Sequence, residues 1–412
     1  MNNNDIVFDF AKRYTPGGTQ TLSKGPTRYV NGVYPKLIES GTGCIVKDLD
    51  GKSYIDYIAA LGPIILGYRW NSVDEAVKDQ LKDGYIFSLP HPLEGEVAFL
   101  LSKLVAYESM WKFTKTGSDA CSMAVKIARA YTNRNNVVVC GYHGWHDWYS
   151  IVNDKKLGIP SEVAKYVTKV PYNEFESIAS AVNENTACVI MEPQIFTTPK
   201  EGFLEYVKSV CKANATLLIF DETVTGFRYP KLLAQRYYDI EPDLTVLGKA
   251  LGNGVPMAAV GGKREVMKIC EHDQFFASTT FGGDCLGLAA AKAVLAEMPR
   301  FVDRMVEAGV SLASSFNEAF DGTVTCTGFP TRTMFNFPST VHKALFWQEC
   351  CKQGVLFGYS NFIMASHLEE PIMENTCEIV RKAAKTVLKY WKSPVSKLDG
   401  DLPVEVFRLL RR

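Results

Sequence analysis

The 412-residue chain carries no surplus of either charge, with 45 Lys and Arg against 45 Asp and Glu. A nucleic-acid-binding protein relies on a positive field, so neither DNA nor RNA is an expected partner. Also missing is any Pro/Gly/Ser-rich linker or block of like charge that would cut the chain into beads. Subdomains that share a surface are the expected organisation. No apolar run is long enough to span a bilayer, and the opening Met1-Asn-Asn-Asn-Asp5 has neither a basic nor an apolar leader. That pattern predicts a cytoplasmic protein with no membrane partner. Cysteine is not scarce, but its pairing pattern is absent: the 11 thiols, an odd number spread from Cys44 to Cys377, include no Cys-x-x-Cys pair. With Cys140 and Cys188 inside apolar runs, they read as reduced, mostly buried small hydrophobes and not as a disulfide framework. The run His143-Gly-Trp-His146-Asp147 has metal-ligating residue types, yet no zinc-like set of partners completes it, so no metal is assigned.

What is present is a hydrophobic share of 47%, enough for a large core. Residues 137–140, 187–191, 216–220 and 244–247 form apolar runs too short for buried helices and apolar on both faces, which suits central parallel strands. Amphipathic stretches at 118–131 and 201–213 alternate with them, predicting an α/β architecture around a mainly parallel sheet. Beyond about Met298 the pattern shifts to longer helices (301–320, 341–353, 373–392) with strand-like residues near 331–337, as in a smaller α+β domain. The turn Asp50-Gly51-Lys52 between residues 45–47 and 54–57 predicts a hairpin that joins that domain. Gly51-Lys52-Ser53 is not the end of a P-loop, because Val46 stands at the first glycine position and a strand follows.

Ligands of parallel sheets collect at the carboxyl ends of the strands. Four of those ends carry residues that a core does not need. Asp221 directly follows residues 216–220, where a buried carboxylate requires a cation or donors. Lys249 follows 244–248 and leads into Gly252-Asn-Gly254, read as a flexible glycine loop; it is either a solvated charge or a desolvated amine. Thr116-Gly117-Ser118 turns a strand into a helix, and the free N–H groups of a helix start suit an anion of phosphate size, although the same residues also serve as an ordinary cap. Gly141-Tyr142-His-Gly-Trp145-His-Asp147 follows the run 137–140, and an aromatic there can pack in the core or face a flat ligand. Together, a phosphate cradle, an aromatic plate, a carboxylate and an amine describe a site for pyridoxal phosphate. The spacing Gly248-x-x-x-Gly252-x-Gly254 is not a dinucleotide fingerprint.

These residues stand within longer motifs: Lys115-Thr-Gly-Ser-Asp-Ala120, Tyr142-His-Gly144, Glu192-Pro193, Asp221-Glu-Thr-Val-Thr-Gly-Phe-Arg228, Leu247-Gly-Lys-Ala250 and Thr280-Phe-Gly-Gly283. From Pro16-Gly17-Gly18 to Ser366-His367-Leu368-Glu369-Glu370, the chain resembles the class III (ω-type) aminotransferases of pyridoxal-phosphate fold type I, with glutamate-1-semialdehyde aminomutases nearest. The resemblance implies a large domain with a mainly parallel sheet, residues 56–299, and a small α+β domain from residues 1–55 and 300–412, in a homodimer. It implies that Lys249 forms the Schiff base with the cofactor and that Asp221 pairs with the pyridine nitrogen. Gly117 and Ser118 match phosphate-binding positions, Tyr142 the stacking position and Thr280 one that reaches the phosphate of the partner subunit, whereas Thr223 stands where a branched aliphatic residue usually packs on the ring, a change expected to alter ring packing without abolishing cofactor binding. Glu192 and Glu222 fall at supporting positions.

The implied reaction is amino transfer between a small-molecule donor and a carbonyl acceptor through pyridoxamine phosphate. The other departures from the pattern fall around the substrate. Lys24 stands where the aminomutases carry a carboxylate-clamping arginine, and lysine does not reproduce a bidentate fork. Leu61 replaces a tryptophan, the segment after Asp147 is shorter than the aminomutase's mobile loop, and Glu369 closes the set of substrate-facing positions. An intramolecular aminomutase is the alternative reading, and a non-catalytic binding protein of the same fold is the alternative of another class.

Overall fold

A computed structural model describes residues 3–404. The chain forms two compact units: residues Asn71–Asp303, and Met1–Trp70 together with Arg304–Arg412. In the first, strands β1 (Ser109–Thr114), β2 (Asn136–Cys140), β3 (Val167–Lys169), β4 (Thr186–Met191), β5 (Leu217–Asp221), β6 (Leu244–Leu247) and β7 (Ala258–Lys263) build one sheet in the order β1-β7-β6-β5-β4-β2-β3. Strands β6, β5, β4, β2 and β3 run parallel, and β7 runs antiparallel to both β6 and β1. Two reversals restore the direction, so β1 ends at the same edge as β5 and β6.

The doubly apolar runs explain the layering. Val137, Val139, Cys188, Ile190, Ile219 and Val246 pack on one face with helix α1 (Gly117–Thr132), and Val138, Cys140, Val189, Met191, Leu218 and Phe220 on the other with helix α2 (Phe203–Ala213). Because alternate side chains serve opposite cores, the runs 137–140, 187–191, 216–220 and 244–247 are buried throughout. Ile219 is fully buried, and truncating such a residue to alanine costs about 2–5 kcal/mol. Helix α1 begins where the Thr116 hydroxyl accepts the Asp119 N–H at 3.2 Å and stops at Asn133, whose φ of 53° is left-handed. Helix α3 (Cys285–Glu297) is capped by the Asp284 carboxylate, which also pairs with Lys115.

In the other unit the expected hairpin is present, Ile45–Asp48 against Ser53–Asp56, flanked by Ile38–Thr42 and Val355–Leu356. A second sheet joins Thr325–Phe329, Arg332–Asn336 and Asn361–Phe362, with helices Thr340–Lys352 and Ile372–Lys389. Phe316, Phe335, Phe346 and Phe357 form its aromatic core. All 11 cysteines are free, nine of them buried. Among the described residues no helix is long and apolar enough to cross a membrane.

Candidate active site

Register aligns the strand ends in one row. Thr114 pairs with Ala258, Ala259 with Leu247, Val246 with Asp221, Phe220 with Met191, and Met191 with Cys140. The residues that follow each strand therefore emerge side by side: Gly117 and Ser118 after β1, Lys249 after β6, Asp221 at the tip of β5, Glu192 after β4 and Tyr142 after β2. Residues as far apart in sequence as Gly117 and Lys249, 132 positions, come to one edge.

Asp221 is 2% exposed, and its carboxylate is held from three segments. Oδ2 lies 2.8 Å from His143 Nδ1 and accepts the Cys121 thiol hydrogen at 3.3 Å, while Oδ1 accepts the Thr223 N–H at 3.0 Å. Burial works to raise the pKa of Asp221, but the His143 and Thr223 contacts outweigh it and hold the group below the ordinary carboxylate value. The adjacent Glu222 shows the opposite balance. It accepts from the Thr225 hydroxyl, the Ala234 and Gln235 N–H groups and the Gln235 amide, yet burial keeps its pKa raised. Its bonds fasten the segment 222–235, a structural duty.

Glycines let three elements close around this carboxylate. A Cβ on Gly117 would lie 2.8 Å from Thr223 Cγ2, and one on Gly248 would lie 3.2 Å from the same methyl. Gly144, at φ +102°, packs against Ser118 so tightly that a Cβ would lie 2.4 Å from Oγ. The loop bearing Tyr142 thus rests on the first turn of α1. The Glu192 carboxylate fixes that loop by accepting the Tyr142 N–H at 3.1 Å, and the Tyr142 ring is left 39% exposed at the edge.

Lys249 does not enter a flexible loop as expected: Lys249–Gly252 is a 3₁₀ turn with Ala250, Leu251 and Gly252 buried, and Lys249 itself has φ 41°. Packing of those small and apolar residues makes the turn rigid. Its ammonium acts electrostatically on Cys121, which places it beside Asp221's surroundings. Thr280 is exposed in a turn between Thr279 and Gly282. Of the aromatic residues near these motifs, Trp148 donates to Ser122 at 2.7 Å and is packed on the core, whereas Trp145 and Phe276 are exposed.

Lys24, Leu61 and Glu369 belong to the other unit. Asp56 is the hub there, accepting the Ile58 and Ala59 N–H groups and the Tyr68 hydroxyl. It caps a run of left-handed residues, Ala59, Ala60, Leu61 and Gly62, and Lys24 favours its charged form. Glu369 is exposed and lines a cavity of about 510 Å³ with Arg304, His367 and Glu374.

Sequence reasoning missed Cys121 and His143 as partners of Asp221. Their ligating atoms and the Asp221 carboxylate lie within 4.8 Å of one another, a spacing open to a soft metal. Hydrogen bonding already accounts for the cluster, since the thiol points its hydrogen at the carboxylate. His143 stands in a local run of metal-ligating residue types, and nothing in that run points to a partner 78 positions away.

A large domain of this topology, with amine, carboxylate and helix start on one edge, defines a fold-type-I transferase. The aminotransferase class-III profile matches residues 29–322, and the chain belongs to that family of pyridoxal-phosphate enzymes. It is 35% identical to the 3-aminobutyryl-CoA aminotransferase of Cloacimonas acidaminovorans over 79% of each chain. It is 33% identical to the glutamate-1-semialdehyde 2,1-aminomutase of Methanothrix thermoacetophila over 92% of this chain and 95% of that one. The FumI protein of Sphingopyxis sp. MTA144, solved in its PLP internal aldimine form, shares the fold with a TM-score of 0.88, at 24% identity over 95% of this chain and 97% of that one.

Proposed function

We propose that this chain is a pyridoxal-phosphate-dependent aminotransferase that moves an amino group from a small-molecule donor to a separate carbonyl acceptor. The observation that carries the reading is the buried Asp221 carboxylate, kept ionised by donors from three segments on the edge where Lys249 and the start of α1 emerge. The residues fit the cofactor. Gly117 and Ser118 offer N–H groups at the first turn of a sixteen-residue helix, where the macrodipole favours a phosphate. The ionised Asp221 suits a protonated ring nitrogen, Tyr142 offers an aromatic face, and the Thr223 methyl fills the space against Gly117 and Gly248.

When bound, the cofactor supplies an electron sink for the bond cleaved at the substrate's α-carbon. The chain supplies the rest. Lys249 would hold the cofactor, give it up to the incoming amine and carry the proton at its Nζ. Asp221 would keep the ring nitrogen protonated, and Tyr142 would cover the ring.

Thr280 completes the phosphate site of a second copy, so the working unit is a homodimer. Exposed Phe87, Leu89 and Phe281 support this: they lie near the two segments joined by the Cys285 N–H to Tyr85 carbonyl bond, Phe281 next to Thr280, and offer apolar surface for a partner. The protein works in the cytoplasm. An external acceptor is favoured over intramolecular transfer by Lys24, whose single ammonium cannot clamp a carboxylate in two-point fashion.

The test is a donor and acceptor screen on the purified protein loaded with pyridoxal phosphate. Transamination should need both partners, and Lys249→Ala should lose both turnover and the visible band of the bound cofactor. Semialdehyde isomerisation without any keto acid, at rates rivalling the best transamination, would replace this reading with the aminomutase one.

A further inference from the structure

Asp221 Oδ2 receives two donors of different strength from different elements, and one of them comes from a side chain that the chemistry above does not use. Cys121 sits one turn into α1, 1% exposed, on a face that continues with the buried Ala124, Val125 and Ala128. An alanine or valine would satisfy that apolar face. Instead, the position carries a polarisable S–H group aimed at a carboxylate on another element. The thiol has no other role available as an ion, because burial and the Asp221 charge both push its pKa well above the ordinary value, against a smaller opposing pull from Lys249. It remains a neutral donor across the working pH range.

We propose that Cys121 is a positioning residue for Asp221, its S–H restraining the carboxylate's rotation so that the ring-facing geometry is set before the cofactor binds. The inference rests on the reading of Asp221 as the ring partner. Three anchors are needed because a carboxylate on a strand tip turns about two side-chain bonds. The Thr223 N–H anchors Oδ1 from the same loop, whereas His143 and Cys121 bracket Oδ2 from the loop after β2 and from α1. Removal of the thiol leaves Oδ2 on His143 alone and frees the plane to tilt. The same helix begins at Gly117 and Ser118, so it carries both the phosphate-facing and the carboxylate-positioning contacts.

The experiment compares Cys121→Ala, Cys121→Val and Cys121→Ser with the parent, all loaded with pyridoxal phosphate and checked for native folding by circular dichroism. One hydrogen bond to a charged group from a weak donor corresponds to a factor of about 5–30. Alanine and valine should therefore lower kcat by about that factor, with the donor's KM within about twofold. The pH midpoint of the visible band should move by about half a unit or more, which a packing role alone would not produce. Serine keeps a donor, and should hold that midpoint near the parent's even if its shorter bond recovers only part of the rate. Unchanged midpoint and kcat in both alanine and valine variants would overturn the inference, as would equal losses in the serine variant. Failure of the parent itself to develop a visible band would sink the reading of the whole site instead, so the two failures are distinguishable.

Discussion

Replacing Asp221 by asparagine separates catalysis from stability, and the structure sets both magnitudes. The amide can keep its oxygen on the Thr223 N–H and turn its NH₂ toward His143, whose imidazole then needs to present an unprotonated Nδ1. That tautomer switch puts a proton on His143 Nε2, which is buried without a hydrogen-bond partner, and so costs about 1–3 kcal/mol. The Cys121 S–H also faces a donor afterwards, a further cost of about 1 kcal/mol, and the sum of about 2–4 kcal/mol corresponds to a melting shift of about 2–5 °C for a chain of 412 residues. Catalysis is affected far more. An opposite charge about 4 Å away at an effective dielectric of about 20 is worth about 4 kcal/mol, a factor of about a thousand in rate. Asp221→Asn should fold, bind pyridoxal phosphate and melt within a few degrees of the parent, yet lose about three orders of magnitude in kcat with the best donor. The assay is kcat at saturating cofactor beside paired thermal melts. A rate within about threefold of the parent would show that Asp221 is not the ring partner, and a collapse of the melting temperature would show that its role is structural.

Other perturbations probe the remaining parts. Gly144→Ala would set a methyl 2.4 Å from Ser118 Oγ and 2.9 Å from its Cα at a φ of +102°; strain of about 1–3 kcal/mol should weaken pyridoxal phosphate binding by about tenfold or more in an equilibrium titration. Asp56 is a pH-dependent element: burial raises its pKa to about 6 despite its donors, so the folded state binds the proton more tightly than the unfolded state does. Its contribution to stability is fully present below the ordinary carboxylate pKa and lost as pH rises through about 6. Melting temperature should fall across that window, and Asp56→Asn should flatten the slope; an identical slope in the variant would contradict the assignment. If Thr280 serves the partner's site, Lys249→Ala and Thr280→Ala chains should complement. One site of the mixed dimer is then wild type in composition, and co-refolding at limiting cofactor should recover activity in proportion to the mixed-dimer fraction. No recovery, with mixed dimers confirmed by mass, would assign Thr280 to its own chain or to no phosphate.

Local patterning was enough for the large sheet. Runs such as 137–140 and 216–220 are apolar on both faces, and only a strand covered on both sides satisfies them, so the strand ends, and with them Asp221, Gly117 and Lys249, could be placed from residue order alone. The hairpin at Asp50-Gly51-Lys52 was legible for the same reason, since turn chemistry acts over neighbouring residues. Tertiary structure decided the rest. Lys249 enters a packed 3₁₀ turn because Ala250 and Leu251 find a core, which a glycine-rich sequence does not announce. Ala59, Ala60 and Leu61 take left-handed backbone that their side chains disfavour; it is sustained by the Asp56 carboxylate accepting the Ile58 and Ala59 N–H groups. The convergence of Cys121 and His143 on Asp221 spans 100 and 78 positions. In sequence each has an ordinary local reading, a thiol on an apolar helix face and a histidine in an aromatic loop. Sheet register brings them to one carboxylate, and the energy of burying that charge makes their meeting necessary.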